Sequence, residues 1–166
     1  MAMSMNTSKT NGNLGIDKSI LNKTVALDSM VFIYLIEKTE PYFTTCRHLL
    51  SLAESGQIIA LSSIISVLET LSPSKYIPAE YTQTEIVNFF KSTPGVSICP
   101  VDWPICLEAA RLRRENKFLK TPDSIQLATA IANHADFFIT HDTRLQKLRL
   151  PNLKIISLDR HGRAVK

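Results

Sequence analysis

Cysteine is scarce in this chain of 166 residues: Cys46, Cys99 and Cys106 are all there is. The number is odd and no C-x-x-C pair occurs, so neither a disulfide framework nor a zinc ribbon fits. Cys46 and His48 form a C-x-H, but a structural zinc site needs tighter paired spacings. Reduced, buried thiols are the expectation. Glycine is also thin, at five residues, and none lies between Gly15 and Gly56. That excludes a nucleotide-binding fold, which needs a Gly-rich turn after its first strand. Long apolar runs are missing too. The longest uncharged, apolar-rich stretch is the 12 residues from Gln57 to Leu68, and it includes Gln57, Ser62, Ser63 and Ser66. A membrane-spanning helix needs about 20 apolar residues. The opening MAMSMNTSKTNGNLG has no apolar core of a secretory signal, so a cytoplasmic protein without membrane association is expected.

What is present suits one globular domain: 45% of residues are hydrophobic and 20% charged. The net charge of +4 is unevenly spread. Residues 25–110 hold 9 acidic and 4 basic side chains, whereas residues 111–166 hold 5 acidic and 12 basic. Arg111, Arg113, Arg114, Lys117 and Lys120 fall within ten residues. Such a cluster can neutralise phosphates, or it can simply solvate a helix face.

Residues 1–23 are polar and aperiodic and read as a flexible leader; 24–159 read as the folded domain and 160–166 as a basic tail. The run Val25-Ala26-Leu27, Asp28, then Met30 to Ile36 reads as a strand ending near Asp28 followed by a short helix. One long strand is the alternative. Pro41 to Ser55 reads as a helix capped by Gly56, and Gln57 to Leu61 as a strand. Ser62 or Ser63 can cap a helix carrying Glu69. Glu80 to Lys91 is helical, Pro94-Gly95 a turn and Val96 to Val101 a third strand. Asp102 caps a helix, and Thr121-Pro122 starts another whose Ile125, Leu127, Ala128, Ile131 and Ala132 cover most of its circumference. Asp136 to Thr140 is a fourth strand, Thr143 to Leu150 a short helix and Leu153 to Leu158 a fifth strand. Alternating strands and helices without hairpin signals predict an α/β fold: a mostly parallel sheet of about five strands between two helical layers. Ligands of such sheets bind at the carboxyl ends of strands.

Four acids stand beside apolar runs, where an unpaired carboxylate costs several kcal/mol. Asp28 ends the first strand, Glu69 lies on the helix after the second, Asp142 follows the fourth, and Asp123 opens the nearly apolar helix. Each alone has a plain structural reading: Asp123 complements a helix dipole, Asp28 and Asp142 cap helices, and Glu69 faces solvent. Together the plain readings weaken, because three of the acids converge by topology on one sheet edge and the fourth, Asp123, opens a central helix. Clustered carboxylates repel unless a cation neutralises them, and all-oxygen ligands suit Mg²⁺ or Mn²⁺ rather than zinc or copper.

These residues resemble a known family. The segment from Leu27 to Glu37 is similar to the first motif of PIN-domain nucleases. Ser63 to Thr70 resembles their second, Thr121 to Ala130 their third and Phe138 to Arg144 their fourth. The resemblance runs from about Thr24 to Leu158 and is greatest to the VapC-type toxins of bacterial toxin–antitoxin pairs. It departs at Met30, where a small polar residue is frequent, and in the long leader. It implies a PIN-like α/β/α sandwich and a Mg²⁺- or Mn²⁺-dependent endoribonuclease whose catalytic and metal-binding acids are Asp28, Glu69, Asp123 and Asp142. Ser29 and Thr140 supply hydroxyls that either support the acids or cap helices. Arg111, Arg113, Arg114, Lys117 and Lys120 would track an RNA backbone, with Lys120 the favoured single cation. A homodimer silenced by a cognate antitoxin is expected on the resemblance alone. A non-catalytic PIN-like scaffold that binds RNA or a partner is the alternative. Dehalogenase-like phosphatases and receiver domains are disfavoured, because Ser29-Met30 follows Asp28 where they need further acids.

Overall fold

The computed structural model describes residues 18–72, 83–158 and the backbone of 164–165. Of the leader expected over 1–23, residues 1–17 lie outside the described residues, as do the side chains of the basic tail expected over 160–166. Strands β1 (Thr24–Leu27), β2 (Ile59–Ser63), β3 (Val96–Cys99), β4 (Phe137–Thr140) and β5 (Lys154–Leu158) pair in parallel. A two-residue strand, β6 (Ala164–Val165), adds antiparallel to β5 within the stretch expected as tail. The order is β3-β2-β1-β4-β5-β6. Helices α1 (Ser29–Glu37), α2 (Tyr42–Glu54), α3 (Ile64–Leu71), α4 (Gln83–Ser92), α5 (Trp103–Glu115) and α6 (Thr121–Ala132) supply the outer layers.

Alternation along the strands divides the core in two. Val25 and Leu27 of β1 join Val31, Phe32, Leu49 and Phe90 on one face. Ala26, with Phe138 of β4, joins Leu112 and Leu127 of α5 and α6 on the other. Fully buried side chains such as Phe32 and Leu127 each contribute about 1.5–3 kcal/mol. Ile20, in a 3₁₀ turn at Lys18–Ile20, is also fully buried, although the sequence places it in the leader.

Several element ends differ from expectation for local reasons. β3 stops at Cys99 because Pro100 has no N–H to extend the ladder. β2 begins at Ile59, two residues late, and the backbone of Gln57 and Ile58 instead bonds back to the Leu52 carbonyl. Gly95 enters β3 at φ +73°, where an added Cβ would collide with the Ala53 carbonyl. All three cysteines are free, but Cys106 is exposed on α5 beside exposed Trp103 and Leu107, against the expectation that all are buried. No described helix is long and apolar enough to cross a membrane.

The chain runs outward from β1 through β2 to β3, then returns through α5 and α6 to place β4 on the other side of β1. The strand order therefore reverses between β1 and β4. The crevice at such a switch point, outside the carboxyl ends, is where open parallel sheets bind ligands.

Candidate active site at the carboxyl end of the sheet

Asp28 follows β1 directly, and its backbone N–H donates to Ile139 of β4 at 3.0 Å. It occupies the N-cap of α1, yet its side chain makes no capping bond. Instead Oδ2 accepts from the Thr140 hydroxyl at 2.5 Å and Oδ1 from the Ser29 hydroxyl at 3.1 Å. The Thr140 oxygen in turn accepts from the backbone N–H of Asp142 at 3.0 Å. One threonine thus ties the acid after β1 to the loop after β4. Ser29 and Thr140 are buried and act through Asp28.

Glu69 is reached by α3, which starts without a linker at the end of β2; Ser63 caps it by accepting from the Ile65 N–H at 3.3 Å. Glu69 Oε2 accepts from Gln126 Nε2 at 2.6 Å. The same Gln126 accepts from the Ser29 N–H through Oε1 at 3.3 Å. This amide is buried in α6, one turn after Asp123, and connects three helices at the site. Sequence reasoning missed it. The signal was available, because a glutamine between Ile125 and Leu127 is as misplaced as the acids were.

The electrostatics connect the four acids. Burial pushes the Asp28 carboxyl up from its ordinary value, the Thr140 and Ser29 hydroxyls hold it back, and Asp123 pushes it further. Burial likewise raises Glu69, with Ser29 opposing and Asp28 and Asp123 adding. Asp123 is raised by burial and then by Asp142, against the Lys120 backbone and charge and the more distant Arg144. Asp142 goes the other way. Arg144 holds it below the usual carboxylate range through bonds of 2.5 to 3.1 Å. Asp142 also caps the 3₁₀ helix Thr143–Lys147 by accepting from the Arg144 N–H at 2.9 Å, as the plain reading allowed.

Of the basic cluster, Lys120 is the member whose charge reaches Asp123 and Asp142. Arg111 is occupied along its own helix, bonded to Glu108 at 2.5 and 2.9 Å and to Glu115 at 2.6 Å. Arg113 donates to the Leu119 carbonyl at 3.4 Å, and Arg114 and Lys117 are exposed. Arg144 was not singled out from sequence, although it stands two residues after Asp142.

Carboxylates that raise one another, backed by hydroxyl and amide donors, make an all-oxygen set that fits a hard divalent cation. The set is not drawn into a finished cage: among the described residues no three His, Cys, Asp or Glu side chains stand in a metal-holding group, and Asp142 faces Arg144.

A family model described as PIN domain matches residues 25–150. No curated protein matches the chain. Among solved structures, VapBC2 from Rickettsia felis, bound to a DNA fragment from its promoter, is 21% identical with a TM-score of 0.61. That match covers 82% of this chain and 99% of the other. A toxin–antitoxin complex from Klebsiella pneumoniae is 24% identical with a TM-score of 0.58, covering 78% and 94%. Both likenesses concern the fold.

Proposed function

The chain belongs to the PIN domain family, and on that premise we propose that it is a metal-dependent endoribonuclease, the toxin of a toxin–antitoxin pair. The observation that carries this reading is that Asp28, Glu69, Asp123 and Asp142 lie near enough at the switch point for three of them to be raised by burial and by another acid of the four. Asp28, Asp123 and Asp142 would hold Mg²⁺ or Mn²⁺, with Glu69 at its margin. The ion would supply Lewis-acid neutralisation of phosphate charge.

The chain's own groups do the rest. Thr140 and Ser29 fix the Asp28 carboxylate, and Gln126 fixes Glu69. Glu69, raised above the ordinary carboxylate value by burial, is suited to take a proton from the attacking water. Lys120 and Arg144 place positive charge beside the acids for an incoming phosphate. Arg113, Arg114 and Lys117 would follow the RNA backbone, each lost contact flattening the slope of log affinity against log salt by about 0.7. An antitoxin and a second copy are the proposed protein partners. Support comes from the toxin–antitoxin assembly named for the Klebsiella pneumoniae structure and from exposed Ile64, Leu68, Trp103 and Leu107.

The test is incubation of purified protein with single-stranded RNA and Mg²⁺ or Mn²⁺, with EDTA as control. Metal-dependent internal cuts are expected. RNA left intact by a folded protein with both metals would overturn the reading.

A further inference from the structure

Two aromatic clusters flank α1, and they differ in kind. Phe32, Phe89 and Phe90 pack edge to face and tilted, with centroids 4.8 to 6.4 Å apart, and Phe32 and Phe90 are buried in the core. The second cluster consists of Tyr34, Tyr42 and His141. Tyr42 stacks on Tyr34 at 4.4 Å and 16°, and the His141 ring tilts against Tyr42 at 4.7 Å and against Tyr34 at 5.6 Å. The Tyr34 hydroxyl bonds to His141 Nδ1. Tyr34 is buried, but Tyr42 and His141 keep part of their surface in solvent. Two of the cluster's three rings, Tyr42 and His141, combine an apolar body with an edge in solvent, the kind of ring enriched where a surface receives a ligand.

Its position is specific. His141 lies between Thr140 and Asp142, two of the residues that tie the acidic site together. Tyr34 stands six residues along α1 from Asp28, about 9 Å in axial rise. The cluster thus begins beside the proposed metal ligands and ends within the reach of one nucleotide. The catalytic arrangement described above uses none of the three rings.

We propose that the partly exposed Tyr42 and His141 rings, backed by Tyr34, form a stacking platform for one unpaired nucleobase flanking the cut phosphate. The proposal rests on the nuclease reading and adds to it where the substrate is gripped. Stacking is indifferent to base identity but demands an unstacked base, so the platform selects single-stranded or looped RNA over duplex. The part-buried Tyr34–His141 bond sets the tilt of the histidine in advance, so the loop carrying Asp142 and the platform are positioned as one body.

The experiment pairs a change in the RNA with a change in the ring. A short single-stranded RNA with a mapped cut is made with an abasic nucleotide at each position in turn. Its kcat/KM is compared for the wild type, Tyr42→Leu and Tyr42→Phe. In the wild type, one abasic position next to the cut should lower kcat/KM by roughly 5- to 150-fold. Tyr42→Leu should lower cleavage of the intact RNA similarly and erase the abasic penalty, whereas Tyr42→Phe keeps both near wild type. An abasic penalty that is absent from the wild type, or that persists in Tyr42→Leu, overturns the platform. A normal profile in Tyr42→Leu, with loss of antitoxin binding instead, also overturns it. Should the wild type cut no RNA, the nuclease reading fails by itself. The platform is then judged by 2-aminopurine placed at each position of a short single-stranded RNA in turn: quenching on binding that Tyr42→Leu abolishes supports it, and no quenching at any position refutes it.

Discussion

Asp28 and Asp142 end adjacent strands of one sheet and share a single threonine, yet they are held in opposite ways. Asp28 lies inward, met by neutral hydroxyls, and burial raises its pKa. Asp142 lies at the rim, met by the Arg144 guanidinium, and its pKa is lowered. Glu69 and Asp123 belong with Asp28. The difference shows that the site is not a uniform patch of negative charge. Its inner acids have hydrogen bonds, and the Lys120 and Arg144 charges offset Asp123 alone, so the group retains repulsion that a cation can relieve. Its outer part carries a counter-charge that a cation or phosphate must displace.

The comparison breaks most sharply at the inner end. Asp28→Asn should lower metal-dependent RNA cleavage by more than about 100-fold, beyond what loss of a merely supporting group costs. In EDTA the variant should melt at or above the wild-type temperature, because one member of a repelling set has lost its charge. Retained cleavage would remove Asp28 from the site. Thr140→Val cuts the connection between the two parts, leaving Asp28 Oδ2 and the Asp142 N–H without their partner. Metal affinity by titration calorimetry should fall about 10- to 100-fold, with roughly 1–3 kcal/mol of stability lost.

The pH response separates the two parts without mutation. Asp28, Glu69 and Asp123 have folded pKa values above their unfolded ones. Their contribution to stability is full below the unfolded values and is lost as pH rises through the folded ones. Asp142 and Glu108 are lowered, so their contribution is present above the unfolded value and lost as pH falls through the folded one. Melting curves of the metal-free protein should therefore improve on mild acidification by about 2–4 °C before declining at lower pH, and added Mg²⁺ should stabilise most near neutrality. A monotonic decline from pH 7 downward would contradict the inner assignment. The smallest effect belongs to the rim: Arg144→Ala should tighten Mg²⁺ binding only a few-fold and leave melting nearly unchanged, since a half-exposed ion pair contributes under about 1 kcal/mol.

The sequence made the acids legible because charge beside apolar residues is an anomaly, and the alternation of strands and helices said which anomalies meet. Gln126 escaped because a neutral amide raises no such alarm, and its three-helix role exists only once Ser29 and Glu69 arrive from positions 97 and 57 residues away. Arg111 was overvalued for the converse reason. Its charge was visible, but Glu108 and Glu115 sit at i−3 and i+4, where a helix brings them onto the same face. β6 had too few residues to show a period, and Ile20 is a lone apolar residue in polar company whose burial depends on what it meets in space.

The Thr140 hydroxyl has a further consequence, because it owns a single proton. The Asp142 backbone N–H already spends itself on that oxygen, so the hydroxyl proton is directed to Asp28 Oδ2. While Asp28 is ionised the chain N–H, hydroxyl, carboxylate is polarised one way, because a carboxylate can only accept. Oδ2 then presents a lone pair to Thr140 and Oδ1 one to Ser29, and a proton placed on Oδ2 would require the threonine hydroxyl to turn away. A serine at position 140 could preserve this direction and a valine could not. The threonine thus makes two chemically equal oxygens unequal, holding one of them as an acceptor for as long as its own proton points there.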